Sequence, residues 1–231
     1  REALAGLPAV LELPTDRPRP SVQSYRGANE TFALPAEVSA ALTALARREG
    51  ATQFMALLAA FQTLLHRYTG QDDIPVGVPI ANRTRGETEG LIGFFVNTLV
   101  MRGRLGGNPT FRGLLKGVRE TALDAYSHQD LPFETLVDAL QPERSLSYSP
   151  IFQVLFNLQS SQAAGRAAAG AQGPLRMEPF AAPGDTSPYD LTLSMSEGPD
   201  GLAGTFEYSV DLFDRATIQR MIGHFSELLG A

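Results

Sequence analysis

The sequence predicts an α+β fold: a two-layer sandwich in which a mixed β-sheet carries helices on one face. Three observations predict it. Long segments place apolar residues at i, i+3, i+4 and i+7, the stripe of an amphipathic helix. Between them lie short β-branched runs that read as strands. The order is strand, two helices, strands, two helices, strands and a closing helix, without the strict alternation of a doubly wound sheet.

Taken in order, Arg1-Glu2-Ala3-Leu4-Ala5-Gly6-Leu7 reads like the tail of a helix cut in its middle, a boundary and not a natural start. Leu13-Pro14-Thr15-Asp16-Arg17-Pro18-Arg19-Pro20 reads as an extended linker, because its prolines remove backbone donors and fix φ. This helix end and linker occupy residues 1–28, and the remaining elements residues 29–231. Asn29 to Leu34 is a strand. Pro35 opens a helix with Val38, Ala41, Leu42 and Leu45 on one face, and Gly50 stops it. Thr52 caps the strongest helix, whose apolar residues run from Phe54 through Phe61 to Tyr68, with Gly70 at its end. Met55, Ala56, Ala59 and Ala60 on its other face predict burial on most sides.

Ile74 to Ile80 is a buried strand, Asn82 to Gly90 a polar loop, and Phe94 to Arg104 a second strand before the Gly106-Gly107-Asn108-Pro109 turn. Thr110 caps a helix bearing Phe111, Leu114, Leu115, Val118 and Ala122. A shorter helix spans Pro132 to Leu140, with proline at its first position. Ile151 to Leu158 is a strand. The Ala/Gly/Ser/Gln-rich stretch Ser160 to Gly173 has no apolar period and reads as a mobile loop. Strands at Leu175–Phe180, Tyr189–Ser194 and Leu202–Val210 precede a last helix capped by Asp214.

Bulk properties exclude several functions. A formal charge of −6 and no Lys/Arg-rich run argue against nucleic-acid binding. With no cysteine there is no disulfide, no Cys-ligated zinc and no thiol nucleophile. No apolar run reaches the ~18–20 residues of a membrane span. The three histidines, His66, His128 and His224, lie far apart and in no metalloprotease or His-x-x-x-Asp pattern. No nucleophile elbow, phosphate-binding loop or dinucleotide fingerprint is present. The Asp72-Asp73 pair reads as a solvated turn.

Three segments carry the chemistry. In Ile92-Gly93-Phe94-Phe95-Val96-Asn97-Thr98-Leu99-Val100-Met101-Arg102, one amide sits among apolar neighbours. Asn97 must find partners or cost on the order of 1–3 kcal/mol. It either bonds the next strand's backbone or lines a cleft. In His128-Gln129-Asp130-Leu131-Pro132-Phe133-Glu134, a helix stops and another starts. Asp130 caps the second helix and Phe133 anchors it, leaving His128 and Gln129 free to order a loop or meet a ligand. In Arg144-Ser145-Leu146-Ser147-Tyr148-Ser149-Pro150-Ile151-Phe152-Gln153, Arg144 offers a guanidinium fork, either for a ligand or for an ion pair with Asp130 or Glu134.

In this order and spacing the segments resemble the last three core motifs of the condensation domains of nonribosomal peptide synthetases. Pro79-Ile80-Ala81-Asn82-Arg83, Asp190 within Tyr189-Asp190-Leu191-Thr192-Leu193, and Asp211-Leu212-Phe213-Asp214 extend the likeness to nearly the whole chain. Leu131 stands where the family usually has an aromatic, and Ser145 where it often has Asp or Asn. The resemblance implies a chloramphenicol-acetyltransferase-like lobe, the C-terminal one of two, with residues 1–28 as helix end and inter-lobe linker. The family's catalytic His-His-x-x-x-Asp-Gly lies in the other lobe and is absent here.

What the resemblance implies for function is amide-bond formation between a donor acyl or peptidyl thioester and an acceptor aminoacyl thioester, in antibiotic and other secondary-metabolite synthesis. Both substrates ride on the 4′-phosphopantetheine arms of carrier proteins, and the domain binds no cofactor itself. Asn97, His128, Gln129, Arg144 and Asp190 become tunnel or motif residues, with no catalytic group in this chain. The implied partners are the N-terminal lobe, donor and acceptor carrier proteins and a neighbouring adenylation domain, in the cytoplasm. A segment within Gly173 to Asp190 would cross to the other lobe, and the lobe interface should show an apolar patch. Alternatives are a non-catalytic carrier-binding module, or a lobe of an epimerisation or heterocyclisation domain.

Overall fold

Alternation along the strands decides where the helices pack. In β6 (Gly201–Ser209), Leu202, Gly204, Phe206 and Tyr208 point to one face and are buried, and Leu191, Leu193 and Met195 of β5 (Leu191–Gly198) join them. On the other face Thr31, Thr205, Ser194 and Asn157 form a polar row across four strands. A slip of one residue would exchange these faces, so burial fixes the register. The computed structural model describes residues 2–83, 85–159, 186–198 and 201–231.

Among the described residues, six strands form one sheet in the order β1-β6-β5-β4-β2-β3. These are β1 (Gly27–Ala33), β2 (Asp73–Ile80), β3 (Asn97–Arg104), β4 (Val154–Gln159), β5 and β6. The β4/β5 and β2/β4 pairs are parallel and the others antiparallel, so the sheet is mixed as expected. Among the described residues, β1 and β3 are its edges.

The main helical layer covers the apolar face. α2 (Gln53–Thr69) lies at its centre and touches β2, α1 (Ala36–Arg48), α4 (Phe111–Ser127) and α6 (Arg215–Gly230). Its Thr52 Oγ1 accepts from the Met55 N–H at 3.2 Å, and Gly70, at φ 69°, ends it. Phe61 is fully buried between Phe156, Phe206 and Phe225, with ring centroids 6.0–6.3 Å apart. Each such pair adds about 0.5–1.5 kcal/mol beyond burial. Gln62 is a buried polar exception: its Nε2 donates to the carbonyls of Ile74 and Met101, tying α2 to β2 and β3.

A second, smaller cluster sits on the opposite face at the β3 edge. Val100, Ile151 and Phe152 are its buried members. α5 (Phe133–Leu140) lays Phe133, Leu136, Val137 and Leu140 on it, the i, i+3, i+4, i+7 stripe of an amphipathic helix. Gly77 makes room: a Cβ there would overlap the Phe152 ring.

Several local expectations change. The β3 strand begins at Asn97, not Phe94, because its partner β2 ends with Ile80 opposite Asn97 and offers nothing to pair with Phe94–Val96. β4 begins at Val154, three residues later than expected, after Ile151 takes the left-handed φ of 71° that β-branched residues avoid. The polar loop contains one helical turn, α3 (Gly86–Glu89). Asp214 occupies the N-cap of α6 without a side-chain cap; the carboxylate of Asp16 instead accepts from the Asp214 N–H (2.8 Å) and the Thr217 hydroxyl (2.9 Å). The expected Leu175–Phe180 strand, the Ser160 to Gly173 loop and most of the Gly173 to Asp190 crossing lie outside the described residues.

Candidate functional site

The three motif segments, far apart in sequence, meet at the head of β3. Asn97 is the knot. Its Nδ2 donates to the carbonyls of Gln129 and Leu131, both at 2.8 Å. Its Oδ1 accepts from the backbone N–H of Thr98 at 2.9 Å and of Phe133 at 3.0 Å. The Phe133 ring then packs on Phe152 (5.4 Å between centroids), and Phe152 on Tyr189 (5.5 Å). The first motif's amide, the second motif's helix start, the third motif's end and the residue before Asp190 are thus in continuous contact.

This overturns the expected cap of α5. Asp130 does not cap it, and Pro132 stands at the N-cap, one position before the helix. Proline has no side-chain acceptor, so an orphan donor of the first turn has to be met from elsewhere. Asn97, 36 residues earlier, meets it. It bonds a loop and not the neighbouring strand's backbone.

His128 is the C-cap of α4 and lies exposed, with Nδ1 2.9 Å from the Asp124 carbonyl oxygen and 2.9 Å from the Ser127 hydroxyl. Gln129 enters the knot through its backbone carbonyl. A cavity of about 590 Å³ beside β3 is lined by Val100 and Arg102 of the strand, Val118 and Asp124 of α4, and His128 and Leu131 of the loop.

Arg144 does not pair with Asp130 or Glu134. Its guanidinium contacts Asp138 at 3.1 Å, with both side chains more than 70 % exposed, on the solvent side of α5. The fork that the third motif was expected to bring into the site is supplied instead by Arg19 from the proline-rich segment. Arg19 forms a two-pronged ion pair with Asp190, one prong at 2.8 Å, and also approaches the Ser147 carbonyl and the Tyr148 ring. Asp190 is 1 % exposed. Burial pushes its carboxyl above the usual carboxylate range, and the Arg19 guanidinium pulls against that push.

Two other residues, the last of the first and of the third motif, also organise the site. Gln153, buried, accepts from the Leu11 N–H at 2.8 Å and donates to Ser149 at 2.9 Å and Ala9 at 3.2 Å, lacing the N-terminal segment to the third motif. Arg102 pairs with Asp73 and donates to the carbonyls of Ala3 and Ala5, just before Gly6 at φ 71°. The sequence signals for Gln153 and for Arg19 are an amide inside an apolar strand start and an arginine between prolines.

Just before this knot in the chain, Leu91, Ile92, Phe94 and Val96 are exposed, as is Leu131 of the loop. Arg83 holds the preceding loop by donating to the carbonyl oxygens of Thr88 and Gly93 and stacking 4.2 Å from the Phe95 ring. Four large apolar side chains within six residues thus face solvent.

Comparison with known proteins supplies the family. The family described as Condensation domain matches residues 1–231. One of the linear gramicidin synthase proteins of Brevibacillus parabrevis is 59% identical over 99% of this chain, which spans 3% of that protein. Phosphinothricin tripeptide synthetase PhsC of Streptomyces viridochromogenes is 45% identical over 96% of the chain, which spans 20% of it. Among solved structures, the four-domain nonribosomal peptide synthetase AB3403 superposes with a TM-score of 0.88 at 26% identity, over 99% of this chain and 18% of that one. The X-domain from teicoplanin biosynthesis superposes at 0.87 with 27% identity, over 99% of this chain and 52% of that one. The motifs, their convergence and these likenesses agree: the chain belongs to the condensation-domain family of nonribosomal peptide synthetases.

Proposed function

We propose that this chain acts as the C-terminal lobe of a condensation domain, joining a donor acyl or peptidyl thioester to an acceptor aminoacyl amine, both borne on carrier proteins. The observation that carries the reading is the convergence of the motifs: Asn97, the His128–Phe133 loop, Phe152 and Tyr189, the residue before Asp190, are in continuous contact. That connected set is the lobe's share of a substrate tunnel. The exposed apolar run Leu91–Val96 is its contact with the N-terminal lobe, which brings His-His-x-x-x-Asp-Gly and the base for the amine. The chain's span of about half of the X-domain structure agrees with one lobe of two.

In this reading the lobe works by positioning. Holding amine and thioester together removes the entropic cost of encounter, and the base of the other lobe takes the proton as the amine attacks. The phosphopantetheine arms belong to the carriers, and the lobe needs no cofactor of its own.

The test mixes donor-loaded and acceptor-loaded carrier proteins with this chain, alone and together with an N-terminal lobe, and follows the dipeptidyl carrier by intact-protein mass spectrometry. Product only with both lobes supports the reading. Product with the chain alone would sink it and require a catalytic group here. Carrier binding without product in either mixture would favour a non-catalytic binding module.

A further inference from the structure

An Asn side chain has a fixed capacity: two N–H donors and one oxygen with two lone pairs. In Asn97 all four are used inside the chain, by Gln129, Leu131, Thr98 and Phe133. The orientation is forced, because turning the amide over would set its oxygen against two carbonyl oxygens and its nitrogen against two N–H groups. Nothing remains with which to hold a substrate.

We infer that Asn97 is a positioning residue, and that what it positions, the His128–Pro132 loop, is the element that meets the reactants. This rests on the reading of the chain as a condensation-domain lobe. The loop is fastened at both ends. At its start, turn bonds run from the Gln129 N–H to Tyr126 (3.3 Å) and from the Leu131 N–H to His128 (3.1 Å). At its end, Phe133 serves twice, donating its N–H to Asn97 and packing its ring on Phe152. Between these anchors His128, Asp130, Leu131 and Pro132 are exposed. A loop held this way presents side chains at a defined place while contributing no strain of its own.

The residue choice follows from the geometry. Aspartate keeps the acceptor but loses both donors and sets a carboxylate against two carbonyl oxygens. Glutamine adds a methylene in a space set by bonds of 2.8–3.0 Å. Alanine leaves two carbonyls and the first donor of α5 without their partner.

The experiment compares Asn97→Asp and Asn97→Ala with the unsubstituted sequence in an intact synthetase module containing this chain. Amide hydrogen exchange over residues 128–133 is one readout. The other is condensation, with kcat and the KM for each loaded carrier measured separately, and thermal unfolding checks that both variants fold. The expected result is exchange in the loop faster by about tenfold, since bonds worth about 1 kcal/mol each are lost. With it, kcat falls about tenfold or more while both KM values stay within about twofold, the pattern of lost transition-state positioning. A fall in kcat or rise in KM with loop exchange unchanged would overturn the inference, because Asn97 would then touch the substrate. Faster exchange at unchanged kcat would overturn it from the other side. If the unsubstituted module makes no amide bond, the functional reading fails, and the exchange result by itself still decides whether Asn97 holds the loop.

Discussion

Arg19 and Asp190 stand 171 residues apart in sequence and form a two-pronged ion pair whose carboxylate is 1 % exposed and whose guanidinium is 21 % exposed. The pair locks the proline-rich segment to the start of β5 and, through the Ser147 carbonyl, to the third motif. A buried carboxylate tolerates such a place only with a partner.

Replacing Arg19 with alanine therefore destabilises the fold by about 3–5 kcal/mol, the cost of leaving a buried charge unpaired. Asp190→Asn costs less, because the guanidinium left behind reaches water. The deficit of Arg19→Ala also depends on pH. Without Arg19, burial pushes the Asp190 carboxyl further up, so the fold holds that proton more tightly than the unfolded chain does. The associated stability is complete below the unfolded carboxylate value and is lost as pH rises through the folded one. Urea denaturation should find the deficit smaller near about pH 4 than near about pH 7.

Gly77→Ala drives a methyl into the Phe152 ring. The expected loss is about 1–3 kcal/mol, the range of overpacked cores. Phe152→Leu in the same background recovers part of it, and a double-mutant cycle in guanidinium measures the coupling.

Acid weakens the Asp73–Arg102 pair. The Arg102 guanidinium, hydrogen-bonded to Asp73, holds its carboxyl below the usual range, with burial acting against it. The stability this carries is present above the unfolded carboxylate value and lost as pH falls through the folded one. With Asp73 35% exposed, screening keeps it to about 1 kcal/mol or less. Arg102→Met should flatten the acid limb of the Tm–pH curve while lowering Tm throughout, since the carbonyls of Ala3 and Ala5 lose their donor.

Asp16→Ala removes the carboxylate that accepts the Asp214 N–H and the Thr217 hydroxyl. The expected cost is about 1 kcal/mol, that of a lost helix cap. Hydrogen exchange should place the loss in the first turn of α6.

Sequence and structure agree most closely where the governing physics is local. The 3.6-residue period, with Thr52, Gly70 and Thr110 at the boundaries, placed α2 and α4 within a residue or two, because caps and apolar stripes act within one turn. Site residues were harder for the opposite reason. Asn97 is legible as an amide needing partners, but not which ones, since three of the four lie 32–36 residues away. Local rules chose Asp130 as the cap of α5, and a distant side chain took the role. Phe94 looked like strand because its neighbours are apolar, yet strand formation requires a partner, and β2 ends too soon. Arg144 had the right chemistry in the right motif, while the buried ion pair went to Arg19, a residue that only the folded path of the linker brings near.

Asp16 completes α6 from 198 residues upstream, and that makes the two segments one thermodynamic unit. Detaching the linker would strip the helix of its terminal acceptor, and fraying the helix would release the linker. Coupling of this kind is reciprocal. A partner that grips residues 13–20 would stiffen the last helix without touching it, and tension applied after residue 230 would be felt where the linker begins.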